Sequence, residues 1–187
     1  MIDQAQMEKV KMFALDVDWN KAFGGRSAGN RHLFRVVAIA VGLARRHDAD
    51  VSVVEAGAWL HDTNLGVTVL GDTMAGKESV LALLGSLAVS QNDQDAILHC
   101  IEAHDGRVPA RTVEAQIVHD ADTLEKMGPL GVIRETWKRC QAGWATEQIT
   151  EHLSSHLARR EGRIYTAEAR VRARRLNASL DPFFELA

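Results

Sequence analysis

Cysteine and proline are scarce in this chain, two of the first and three of the second among 187 residues. Cys100 and Cys140 lie far apart and in no Cys-x-x-Cys pair, so the sequence supports neither a disulfide framework nor a zinc-thiolate site. Both are expected to be reduced core thiols of a cytoplasmic protein. The longest apolar run, Val36 to Ala44, falls well short of the roughly 20 residues that span a bilayer. The amino terminus, MIDQAQMEKVK, mixes charges of both signs and lacks the apolar stretch of a secretory signal. A basic field is missing too: the formal charge is -3 and the sequence pI about 6.2. Nucleic-acid affinity draws heavily on neutralised phosphates, so a small substrate is expected in place of a nucleic acid, and no membrane partner.

Alternating strand patterns of useful length, fixed-period repeats and Pro/Ser-rich linkers are also lacking. What is present is helical spacing: Val36, Ile39, Ala40 and Leu43 recur at that interval, as do Ile97 and Ile101. Helices are expected near 4–23, 27–46, 52–61, 77–89, 93–104, 112–126, 129–142, 146–158 and 166–179. Pro109, Pro129, Pro182 and the glycine clusters lie in the breaks between them. Ser52 and Glu55 fit a capping box for the third helix. The reading is an all-α, single-domain helical bundle over residues 1–187, with a core at about 27–126 and helices at about 129–187 completing it. A homo-oligomer is compatible with this composition. The long non-helical stretch 63–76 follows a His-Asp pair directly, and loops of that length are usually functional.

Four His-Asp dipeptides occur, at 47–48, 61–62, 104–105 and 119–120, and context separates them. His47-Asp48 follows two arginines at the polar end of a helix and reads as structural. His61-Asp62 ends the run VVEAGAWL, apolar on nearly all sides and therefore central. Val54, Ala58 and His61 share one stripe, and His32 continues into Val36, Ile39 and Leu43 in the same way. A carboxylate buried beside inward imidazoles costs several kcal/mol unless a cation or strong donors neutralise it, and a metal ion satisfies both kinds of group. His104 continues the Ile97-Ile101 stripe and points inward, whereas His99 shares a face with Asp95 and Glu102 and is expected to see solvent.

The strings HLFRVVAIA (32–40), LHD (60–62), IEAH (101–104) and VHDADTLEKMG (118–128) resemble, in order and approximate spacing, the HD superfamily of metal-dependent phosphohydrolases. That resemblance implies His32, His61, Asp62 and Asp122 as ligands of one divalent ion, be it Mn, Fe, Co, Ni or Mg. Asp122 stands in the Ala-Asp-x-Leu pattern, yet the stripe of Val113, Ile117, Ala121 and Leu124 turns Asp120 closer to the core. Asp120 therefore stays a candidate for orienting a ligand. Members with two metals carry a histidine at the start of the helix after the long loop. Here that helix opens Ala75-Gly76-Lys77-Glu78, which favours one metal and disfavours an oxygenase.

The resemblance implies hydrolysis of a small phosphoester, a nucleotide first, by a metal-activated water. Asp62 and His104 are the expected catalytic groups, and Arg35, Lys77 and Arg107 the candidates for the phosphate. An HD-type oxygenase and a non-catalytic, nucleotide-binding regulatory HD module are the alternatives. Seven arginines between Arg159 and Arg175 read as a solvated helix face, since acids are interspersed and no aromatic platform accompanies them. Trp19, Trp59, Trp137 and Trp144 are expected as core anchors.

Overall fold

A computed structural model describes residues 1–68 and 72–180, apart from the side chains of residues 154 and 156–159. Pro182 and the middle of the 63–76 loop lie outside the described residues. Among the described residues the fold is all-helical: α1 (Gln4–Asp16), α2 (His32–Ala44), α3 (Val51–Leu60), α4 (Lys77–Ser86), α5 (Gln91–Ala103), α6 (Val113–Glu125), α7 (Gly128–Gln141), α8 (Thr146–Glu161) and α9 (Ala167–Ala178). None of these is long and apolar enough to cross a membrane. The chain divides into two compact units, Met1–Ala121 and Asp122–Ala187, with the division falling inside the continuous helix α6.

In the first unit α3 is central, packed by α1, α2 and α5. Its Val53, Val54, Ala56, Ala58, Trp59 and Leu60 are all buried, as the apolar run implied. Gly57 lets α5 come close, for a Cβ there would stand 2.7 Å from the Cys100 Cβ. Side-chain caps fix several starts: Asp3 and Gln6 close a capping box on α1, and Ser90 accepts from the Asp93 N–H of α5.

Five expectations need correction. The first helix does not run to 23: it ends at Asp16 and continues as a π-helical turn, Val17–Lys21, and a 3-10 turn, Ala22–Gly25. Phe23 there is left-handed, at φ 52°, which no residue pattern announces. The second helix starts at His32, not 27, because Gly29 at φ 79° breaks the chain just before it. The cap of the third helix is Asp50, whose carboxylate accepts from the Ser52 and Val53 N–H groups, so Ser52 already lies inside the helix. Of the tryptophans only Trp59 is buried, while Trp144 is 36% exposed; Cys140 is exposed and not a core thiol.

In the second unit α7, α8 and α9 pack on one another, and α7 and α8 meet around a buried carboxylate. Glu135 meets Arg139 Nη2 at 2.7 Å, His152 Nε2 at 3.1 Å and Arg160 Nη2 at 3.4 Å. Arg160 is thus part of the packing and departs from the solvated arginine face, to which exposed Arg163, Arg170, Arg172, Arg174 and Arg175 conform. Burial alone would push the Glu135 carboxyl up; Arg160, Arg139 and Lys138 outweigh it and hold it at about 2, below its ordinary 4.5. A depressed acid stabilises the fold above its unfolded value and loses that contribution as pH falls from 4.5 towards 2. The contribution is about 3 kcal/mol at neutral pH. Glu135→Gln should therefore be less stable at pH 7 and show a flatter acid dependence across that window, read by denaturant unfolding at successive pH values. Parallel acid profiles for the two proteins would remove the charge network from the account.

Candidate metal centre

His61 and His104 sit at equivalent places, each capping the C-terminal end of a helix, the apolar α3 and the amphipathic α5. The last carbonyls of a helix have no intrahelical partner. One of them is used the same way in both: His61 Nδ1–H donates to the Ala58 carbonyl at 2.8 Å, and His104 Nδ1–H to the Ile101 carbonyl at 2.7 Å. A carbonyl only accepts, so the proton of each neutral ring is on Nδ1 and the Nε2 lone pair is left to face inward. His32 comes from the first turn of α2, with its backbone N–H on Asn30 Oδ1 at 3.1 Å.

These rings converge on Asp62. His32 Nε2 is 3.1 Å from His61 Nε2 and 3.3 Å from Asp62 Oδ2, which is 3.6 Å from His61 Nε2. His104 Nε2 is 3.7 Å from the other oxygen, Oδ1, and its ring lies edge-on to that of His61 at 5.0 Å between centroids. The three histidines are at most 4% exposed and the Asp62 side chain 10%. Asp122, the residue after the division, is held by α6 itself, one helical step from Ala121. One of its carboxylate oxygens and one ring nitrogen each of His32 and His61 all lie within 4.8 Å of one another.

Two ring nitrogens 3.1 Å apart beside a carboxylate need a proton or a cation between them, and a divalent ion can serve all of these donors at once. Donors about 2.1 Å from one ion are separated by roughly 3.0 Å at right angles and 4.2 Å when opposite, which brackets the 3.1, 3.3 and 3.6 Å spacings among His32, His61 and Asp62. The mixed nitrogen and oxygen set suits a divalent first-row metal, and the last-turn carbonyls of α3 and α5 add negative potential on the same side. The residues fit the ion that the sequence implied.

The remaining candidates are placed differently. Arg35 is half-buried one turn after His32; Lys77 is exposed at the start of α4; Arg107 is 62% exposed and bound to Asp105 at 3.0 Å. His99 is half-buried, accepting the Arg111 N–H at 3.0 Å. Asp120 is as buried as Asp122. Two residues were not singled out from the sequence. His119, buried on α6, donates from Nδ1 to the His104 carbonyl at 2.9 Å and so fixes the end of α5. Lys126 places its ammonium on the Asp122 carboxylate one turn back, a contact that the i,i+4 spacing announces.

Residues 30–127, more than half of the chain, match the HD domain family, and the chain belongs to that family. Ribonuclease Y of Acidothermus cellulolyticus is 32% identical over 108 residues, 57% of this chain and 20% of that protein. The chain therefore spans about one fifth of that relative's length. Among solved structures, a protein of Lactobacillus plantarum superposes with a TM-score of 0.80 at 24% identity, covering 100% of this chain and 96% of its own. Bacillus subtilis YpgQ in complex with ADP gives 0.75 at 22% identity, over 96% of this chain and 94% of its own. At such identities the likeness is one of fold.

Proposed function

We propose that this protein is a metal-dependent hydrolase of small phosphoesters, with nucleotides as the first substrate class. The observation that carries the reading is the convergence of His32, His61 and His104 ring nitrogens on the half-buried Asp62 carboxylate, with Asp122 beside them. Under this reading His32, His61, Asp62 and Asp122 hold the ion. When bound, a divalent ion lowers the pKa of a coordinated water and polarises a phosphoryl oxygen. Asp62 accepts a hydrogen bond from the attacking water and aligns it. His104, its Nδ1–H held on the Ile101 carbonyl, takes a proton at Nε2 from solvent and, as the imidazolium, gives that proton to the leaving oxygen. Arg35, sharing the first turns of α2 with His32, is the best placed of the three cations for phosphate charge; Lys77 and Arg107 rank below it.

A nucleotide is favoured because a protein of similar fold, Bacillus subtilis YpgQ, is seen in complex with ADP. The likeness to Ribonuclease Y brings an RNA phosphodiester as a second substrate class. The net charge of -3 weighs against a polyanion. A panel of nucleoside mono-, di- and triphosphates, phosphosugars and short oligoribonucleotides, each with Mn, Fe, Co, Ni or Mg, tests the reading by phosphate release and strand cleavage. Turnover of a nucleotide with at least one metal is expected, and lost on chelation. Nucleotide binding with no turnover under any metal would instead favour the regulatory module, and oxygen uptake by an iron-loaded sample the oxygenase.

A further inference from the structure

Asp122 is 1% exposed, and a carboxylate so deeply buried needs a cation beside it whether or not a metal is bound. Lys126 supplies one, its ammonium lying on Asp122 Oδ2 while its side chain is 19% exposed. The rest of Lys126 is held firmly. Its carbonyl accepts Arg160 Nη1 at 2.6 Å, and Gly131 of α7 packs so close to that carbonyl that a Cβ there would collide with it. The backbone is thereby fixed, and the charged end of the stem is the part left to move.

We propose that Lys126 sets the metal affinity of this site: its ammonium is the built-in counter-ion of Asp122, which a divalent ion must displace or share the carboxylate with. The inference rests on the metal reading given above. Two consequences follow from one contact. In the metal-free protein Lys126 stabilises the fold by neutralising Asp122; in the loaded protein the same charge competes with the ion and weakens its hold.

The test compares wild type with Lys126→Met, which keeps the apolar stem and removes the charge, and with Lys126→Arg, which restores a cation. Mn²⁺ is titrated calorimetrically into metal-free protein, and thermal unfolding is followed with and without saturating Mn²⁺. Lys126→Met should bind Mn²⁺ tighter by a factor on the order of ten. It should unfold several degrees lower than wild type only when metal-free. Lys126→Arg should lie near wild type on both axes. Should Lys126→Met fail to fold without metal, Lys126→Gln replaces it, and rescue of Lys126→Met by Mn²⁺ during refolding counts in favour. Equal Kd and equal metal-free unfolding temperatures for wild type and Lys126→Met overturn the inference and leave the metal site standing. No Mn²⁺ binding by any of the proteins overturns the metal reading and this inference with it.

Discussion

His32→Ala, His61→Ala, Asp62→Ala and Asp122→Ala are each expected to lose metal and turnover together. Changing groups that merely orient ligands typically weakens metal binding by roughly 10- to 100-fold, and removing a ligand itself should exceed that. The reason lies in what remains after each deletion. In His61→Ala, His32 Nε2 loses the group 3.1 Å away, and a hollow opens beneath Asp62 at the end of a helix with no exposed side. In Asp62→Ala the three imidazoles keep their positions but lose the carboxylate that offsets the charge of the ion. In Asp122→Ala the Lys126 ammonium loses its partner as well, so this variant should also be the least stable without metal. Elemental analysis of the purified variants, beside turnover of whichever substrate the panel yields, reads both effects. About one metal per chain is expected for wild type, and none after dialysis for the four variants. A variant retaining metal stoichiometrically while losing turnover would remove that residue from the ligand set.

Much of this centre could be read from the sequence because its residues end or begin helices with a clear apolar stripe. The stripe through Val54 and Ala58 leads to His61, that through Ile97 and Ile101 to His104, and His32 heads its own stripe; the structure brings all three together around Asp62. The choice between Asp120 and Asp122 was not legible by facing. Every residue of α6 from Ile117 to Glu125 is buried, so the helix has no solvent face there and a single stripe cannot rank the two aspartates. It is the Ala-Asp-x-Leu pattern, and not facing, that favours Asp122.

Features that depend on close backbone approach or on distant charges were not legible. Glu135 and Arg160 are 25 residues apart and meet only when α7 and α8 pack, so a run of arginines looked solvated although one of them is a packing element. The Asp50 cap was missed by two residues because Ser52 offered a plausible box of its own. The turn at Phe23 depends on a left-handed conformation that its side chain disfavours and that only the surrounding packing enforces.

His104→Ala, by contrast with the ligand variants, is expected to keep its metal and to lose about 10²- to 10⁴-fold in kcat, the usual share of a positioned acid or base. Its Nε2 stands 3.7 Å from Asp62 Oδ1, on the opposite oxygen from the one that His32 and His61 approach. That places it beside the water Asp62 would align. The ring has little freedom to do anything else. Nδ1 is committed to Ile101, the backbone carbonyl is held by His119, and His61 packs against one edge. His104→Gln can keep a hydrogen bond but cannot carry a proton at neutral pH, so it separates positioning from proton transfer. Equal kcat losses in His104→Ala and His104→Gln, with KM little changed and one limb of the pH–rate profile abolished, are the expected outcome. Recovery of most of the rate in His104→Gln would make His104 a hydrogen-bond donor to the phosphate and not a proton carrier. Loss of metal from both variants would make it a ligand, and the centre would then have to be rebuilt around a larger donor set.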